Sequence, residues 1–356
     1  MIKDSVTNAT ETKSLLAETP AQSPNSAPNV IPAGDTAGIP MPATKHRRPP
    51  VLRSLFIALS ENRRIRHFAE HNALGQRMSK RFVAGNTVAD GVAVTRELNA
   101  RGIAVSIDNL GENVTNIEEA KQSSELYHQM LDEVTKDKLN CNVSLKLTHM
   151  GMDVDESLCR ELVSDLIDHA AYVNSFVRVD MEGSPYTQKT LDIVHDLHAR
   201  EGHQGHVGTV IQAYLYRSEK DVQDLLAKGV RIRLCKGAYK EPANIAFQDK
   251  GDVDKNYFKL STMLLKSGIF HGIATHDERI IEQVKNFATK EKIARDSFEF
   301  QMLYGIRRDL QEKLVKDGWG MRVYVPFGAE WYPYFMRRLA ERPANAIFVA
   351  KNMLRN

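Results

Sequence analysis

Between residues 103 and 325 the chain carries eight short apolar runs rich in β-branched and aromatic residues: Ile103 to Asp108, Asn142 to Thr148, Phe176 to Met181, Val207 to Ala213, Val230 to Lys236, Phe270 to Thr275, Phe298 to Met302 and Met321 to Val325. Runs of that length and composition predict strands. Amphipathic stretches with helical spacing lie between them, at Ile117 to Val134, Asp155 to Tyr172, Ser184 to His198, Glu219 to Lys228, Lys255 to Lys266, Asp277 to Ala288 and Arg308 to Lys316. Eight strands alternating with helices predict an α/β fold, a parallel (βα)8 barrel of the TIM type, with a doubly wound sheet as the competing architecture. Helical patterns at Leu52 to Ser60, Arg63 to His71 and Gly75 to Phe82 form a lead-in to it. The expected organisation is a tail over residues 1–50, N-terminal helices over 51–85 and the barrel domain over 86–356. The tail is rich in Pro, Ala, Ser, Thr and Asn and poor in large apolar groups, so burial there cannot offset the entropy of folding. No short repeat points to a solenoid.

Polar residues interrupt the apolar runs near their C-terminal ends, which in a barrel converge on one mouth. Asp108 ends the first run, Lys146 the second, Asp180 and Glu182 the third, Gln212 the fourth, Arg233 with Lys236 the fifth, and Thr275 and His276 the sixth, while Glu299 and Gln301 sit in the seventh and Tyr324 in the eighth. Burying them is costly unless they are partnered, so the pattern favours a functional mouth over a plain core. The individual chemistries stay open. Lys146 and Lys236 suit a Schiff base, an anion contact or a lysine snorkelling from the rim. Gly237 suits close backbone approach to a phosphate, or a plain turn. Asp180 suits a base, a metal ligand or a partner that orients an arginine; between arginines it stays ionised, which favours the orienting role. Ser184 and Asp277 read as helix N-caps. His276 and Asp277 lack a second suitably spaced histidine, so a metal site is poorly supported. Glu299 and Gln301 fall on one side of their strand and Phe298 and Phe300 on the other.

After the last run, Pro326, Gly328 and Glu330 break the strand pattern and a helical pattern follows, in which Tyr334, Arg337, Arg338 and Glu341 share a face. Two adjacent arginines reach one anion when it sits over the seam between them, and a free carboxylate fits that fork. An ordinary salt-bridged surface has the same local pattern.

Composition narrows the function. A net charge of +3 argues against a dedicated nucleic-acid binder. The three cysteines, Cys141, Cys159 and Cys235, lack Cys-x-x-Cys spacing and suit a reducing cytoplasm. No apolar run approaches a bilayer span and no secretion signal is expected at the start. The basic group Lys45-His46-Arg47-Arg48 suits either contact with anionic lipid or simple solvation. No GxGxxG, P-loop or HExxH pattern is present.

In their order along the chain, VSLKLT, VRVDMEGS, GTVIQAYL, RLCKGAYKEP, ATHDE, FEFQMLYGIR and YVPFGAEWYPYFMRRLAERPAN resemble the monofunctional bacterial proline dehydrogenases, from about residue 50 to the end. The resemblance implies a somewhat distorted barrel bearing FAD that oxidises L-proline to Δ1-pyrroline-5-carboxylate. It implies electron transfer to a membrane quinone, peripheral contact with the inner membrane face, and a downstream pyrroline-5-carboxylate dehydrogenase. Carried over by position, it gives Arg337, Arg338 and Lys146 the proline carboxylate, with Glu341 holding the arginines. Tyr324, Leu303 and Tyr334 wall the pyrrolidine ring, Asp180 orients the arginine pair, and Arg233 sits near flavin N5. Lys236, Gly237 and Ala238 meet the FAD phosphates; Met181, Gln212, Thr275 and His276 contact other parts of the cofactor. The chain departs from the family at Cys235, where valine is expected, and in its long N-terminal tail.

Three alternatives follow from the same residues. One is flavin-dependent oxidation of hydroxyproline or another cyclic imino acid, or physiological use of the reaction in reverse. The second is a lysine-based barrel aldolase using Lys146 or Lys236. The third is an amino-acid-binding regulator on a barrel scaffold.

Overall fold

Eight parallel strands close into a barrel in sequence order: β1 (Ala104–Asn109), β2 (Cys141–Leu145), β3 (Val177–Val179), β4 (Val207–Gln212), β5 (Arg231–Cys235), β6 (His271–Ala274), β7 (Phe298–Leu303) and β8 (Gly320–Phe327). The computed structural model describes residues 81–111 and 113–332. Helix α1 (Val88–Asn99) precedes β1. Helices α2 (Ile117–Lys136), α3 (Glu156–Tyr172), α4 (Ser184–His198), α5 (Ser218–Ala227), α6 (Lys250–Lys266), α7 (Glu278–Lys290) and α8 (Arg308–Lys316) follow β1 to β7 in turn. The expected (βα)8 barrel is therefore the observed one, and the doubly wound sheet is excluded by the β1–β8 pairing, which runs from Ala104↔Arg322 to Asn109↔Phe327.

Strand alternation sorts side chains between two environments. On β7, Phe298 and Phe300 pack edge-on against each other and against Trp319 outside the barrel. Glu299 and Gln301 face the other way: Glu299 Oε1 accepts from Arg322 Nε at 2.6 Å and from Gln301 Nε2 at 2.7 Å. That is the partnered carboxylate that a buried position requires.

Some local expectations need correction. Helix α1 was not legible as a helix, because its sequence VADGVAVTRELN mixes β-branched residues with a glycine. It is started by a capping box between Thr87 and Asp90, and it packs on β1 and β8. Gly91 is what allows that packing: a Cβ there would lie 2.6 Å from Ile107 Cδ1. Ser184 is the first residue of α4 and not its N-cap, which is Gly183. The helix start is satisfied from outside by Glu241, which accepts from Ser184 N at 2.7 Å and Ser184 Oγ at 2.6 Å. Asp277 does cap α7, accepting from Arg279 N. Strand β8 continues to Phe327 through Pro326, because beyond Tyr324 only β1 is its neighbour, and an edge tolerates the missing N–H. The lead-in helices before residue 81 and the helix carrying Tyr334, Arg337, Arg338 and Glu341 lie outside the described residues.

Candidate active site

The C-terminal ends of the strands hold a polar network built around one guanidinium. Arg233, buried on β5, donates from Nε to Gln301 Oε1 on β7 at 2.6 Å and from Nη1 to Asp180 Oδ1 just after β3 at 2.8 Å. Its Nη2 donates to Ser106 Oγ on β1 and Ser144 Oγ on β2, both at 3.0 Å. The guanidinium also lies over the Tyr324 ring of β8, 5.2 Å from its centroid. Five strands thus meet at one side chain, which only a planar fork of donors can arrange.

Asp180 and Asp108 flank the Tyr324 hydroxyl, at 3.1 Å and 2.6 Å. The phenol has one hydrogen, and the shorter contact, to Asp108 Oδ2, takes it. Burial and the two carboxylates hold the Tyr324 hydroxyl well above its ordinary range, so it stays a donor. Asp108 is fully buried; burial pushes its carboxyl up, the Lys146 ammonium at 3.3 Å opposes that, and the charge of Asp180 reinforces it.

A second group of charges sits beside the first. Lys236 Nζ pairs with Asp254 at 2.5 Å and Asp277 at 3.0 Å, linking the end of β5 to α6 and the start of α7. Lysines and Arg279 around Asp277 hold its carboxyl down at about 2, against the opposing effect of burial. Gly237 follows with φ of +139°, and a Cβ there would lie 2.5 Å from the Tyr214 ring. The next amide, Ala238 N, donates to Gln212 Oε1 at 2.9 Å, while Gln212 Nε2 donates to the Glu182 carbonyl at 3.0 Å. His276 Nε2 accepts from Leu303 N at 2.9 Å, which places the proton of a neutral ring on Nδ1. Thr275 Oγ1 accepts from Asp277 N.

Of the residues singled out from sequence, Lys146, Asp180, Met181, Gln212, Lys236, Gly237, Ala238, Thr275, His276 and Leu303 lie at C-terminal strand ends or just after them, while Arg233 sits mid-strand on β5 and Tyr324 three residues before the end of β8. Among the described residues, the arginine that Asp180 meets is Arg233. Arg337, Arg338, Tyr334 and Glu341 lie outside the described residues, so the expected fork is not among these contacts. Sequence reading placed Asp108 at the mouth without a role, and it missed Ser106, Ser144 and Tyr127. A serine inside a strand gives no local signal of the guanidinium it meets across the barrel.

A protein-family model described as proline dehydrogenase matches residues 92–351. Proline dehydrogenase 2 of Bacillus subtilis is 42% identical over 307 residues, which cover 85% of this chain and 99% of that protein. The proline dehydrogenase of Deinococcus radiodurans is 41% identical over 281 residues, covering 78% of this chain and 90% of its own. Among solved structures, proline utilization A from Bdellovibrio bacteriovorus shares the fold with a TM-score of 0.72 at 24% identity, covering 81% of this chain and 36% of that longer one. Motif order, closed barrel, family model and full-length relatives agree, and the chain belongs to the proline dehydrogenase family.

Proposed function

We propose that the chain oxidises L-proline to Δ1-pyrroline-5-carboxylate with FAD held at the barrel mouth. Electrons pass on to a membrane quinone, and the product is handed to a pyrroline-5-carboxylate dehydrogenase on the way to glutamate. The observation that carries the reading is the Arg233 fork: a buried cation fixed by Asp180, Gln301, Ser106 and Ser144 at the mouth, with Tyr324 against its face.

The residues present fit a flavin dinucleotide. Four of the five guanidinium hydrogens of Arg233 are used among the described residues, which leaves one Nη1–H for a further acceptor. The buried Tyr214 ring lies directly against Gly237, where any side chain would collide with it. Lys236, Gly237 and Ala238 would hold the phosphates, and Met181, Gln212, Thr275 and His276 other parts of the cofactor. When bound, the flavin supplies the hydride acceptor, N5. Arg233 then places a cation where negative charge develops on reduction.

Lys146, Arg337 and Arg338 bind the proline carboxylate, Glu341 holds the arginine pair, and Asp180 orients the arginines. Tyr324, Leu303 and Tyr334 enclose the pyrrolidine ring and exclude water. The hydride would leave the ring CH2 bonded to nitrogen, not the carboxylate-bearing carbon, from proline whose amine is neutral, and the iminium so formed would lose its N–H proton to solvent to give the imine. Positioning supplies much of the rate. Tyr324, whose hydroxyl is fixed by its hydrogen bond to Asp108, leaves little give for a ring hydroxyl, which favours proline over hydroxyproline.

The test is the visible spectrum of the purified protein before and after anaerobic addition of L-proline. Flavin absorbance that bleaches is the expected result. A colourless protein, or a flavin that stays oxidised with excess proline, would overturn the reading. Among the described residues no helix is long and apolar enough to cross a membrane; the proposed quinone reduction is assigned to peripheral contact. Anaerobic reoxidation by quinone-loaded vesicles checks that step.

A further inference from the structure

Burying a carboxylate completely is expensive, and replacing a whole buried ion pair by apolar residues of similar volume is often neutral or better for stability. Asp108, at the end of β1, is nonetheless fully buried. Its Oδ1 accepts from Tyr127 Oη of α2 at 3.1 Å. Its Oδ2 accepts from Tyr324 Oη of β8 at 2.6 Å and from Lys146 Nζ, just after β2, at 3.3 Å. Two of those donors belong to the pocket assigned above to proline: Lys146 to its carboxylate end and Tyr324 to its ring. They approach from opposite neighbours of β1 in the barrel, and the carboxylate of Asp108 touches both.

From this placement we propose that Asp108 is a positioning residue for substrate binding. It sets the distance between the ammonium that meets the proline carboxylate and the ring that covers the pyrrolidine. It takes no part in the chemistry, and Tyr127 anchors it from the helical layer. The inference rests on Lys146 and Tyr324 lining the proline pocket. A flexible lysine stem would otherwise sample many rotamers, and each substrate would have to order it on binding. Because Asp108 acts partly through Lys146, its effect should fall on proline affinity and should shrink when Lys146 is absent.

The experiment is a double-mutant cycle on the flavin-loaded enzyme, with KM, kcat and flavin content measured for wild type, Asp108→Asn, Lys146→Met and the double variant. Asp108→Asn is expected to raise KM for proline about tenfold with kcat changed less than about threefold and flavin content unchanged. The double variant is expected to raise KM by at least about threefold less than the product of the two single effects. The dissociation constant of the ring-oxygen analogue of proline, read from the flavin spectrum, should weaken in parallel with KM. Full additivity, or a KM that stays at the wild-type value in Asp108→Asn, would overturn the inference. If Lys146→Met itself leaves KM unchanged, the pocket assignment is wrong and this inference falls with it. Should Asp108→Asn lose its fold, Asp108→Glu gives the same test, since it keeps a carboxylate for Tyr127, Tyr324 and Lys146 and moves it by one methylene. A properly folded Asp108→Glu of wild-type KM overturns it equally.

Discussion

Arg233 and Gly237 show how single positions serve the site for different physical reasons. Arg233 is buried because its donors are matched on four sides, so the cost of desolvating a cation is met by oxygens from β1, β2, β3 and β7. Gly237 is there for what it lacks. Its φ of +139° disfavours any side chain, and a Cβ would collide with the Tyr214 ring. Gly237→Ala is expected to release flavin while the barrel stays folded, seen as lost absorbance near the visible flavin bands with an unchanged far-UV circular dichroism spectrum. In the proposed pocket, Arg337 and Arg338 meet the opposite end of the ligand, and Arg337→Met and Arg338→Met test that role. Each is expected to raise KM for proline by at least about tenfold with flavin retained, because the carboxylate is the non-reacting end of the substrate. Collapse of the flavin content in either variant would reverse that assignment. All four of these residues stand out in the sequence as polar or glycine positions at a strand end or on one helix face. What they touch does not, since a partner across the barrel is more than a hundred residues away for the Arg233–Ser106 pair.

Elements were legible to the extent that their signals are local. The interval Ser184–His198 reads as helix from its own period, and the structure agrees at both ends. Helix α1 does not, because its stability comes from a capping box and from a glycine that lets it lie flat on β1. Thr87→Ala removes the oxygen that accepts from Asp90 N and is expected to cost about 1 kcal/mol in urea unfolding. A change well under half of that would mean the packing of α1 on β1 and β8 holds the helix without its cap. The start of α4 carries the same lesson in reverse. Ser184 has the right chemistry for an N-cap, but Glu241 from the loop after β5 already satisfies that end with a charged acceptor.

At the scale of the whole molecule, barrel closure places charged groups where water cannot reach them, and this makes stability depend on pH. His271, buried on β6, accepts from Ile232 N at 3.0 Å through Nδ1 and pairs with Ser267 Oγ at 3.0 Å through Nε2. A second ring proton would face the Ile232 N–H. Burial, with Arg178 and Arg231 nearby, lowers its pKa to about 3, against about 6.5 in an unfolded chain. The unfolded state therefore takes up a proton that the folded state refuses across that window. The stabilisation is fully present above pH 6.5 and is lost as pH falls toward 3. Between pH 7 and pH 5 this one residue should cost about 2 kcal/mol, and His271→Asn, whose amide oxygen can replace the Nδ1 acceptor, should flatten the dependence of the urea midpoint on pH. Equal slopes for the two proteins would remove His271 as the cause.

The sequence by itself determined the eight strands, their alternation with helices and the rank of polar residues at the strand ends. Hydrophobic periodicity is a property of neighbours along the chain, and strands buried on both faces read as nearly continuous apolar runs. Motif order sufficed for the family. Only the tertiary structure decided that Arg233 crosses the barrel axis to Ser106 and Ser144, and that Asp108 gathers Tyr127, Tyr324 and Lys146. Those contacts depend on the register with which β1 closes against β8, a relation between distant segments that no local pattern encodes.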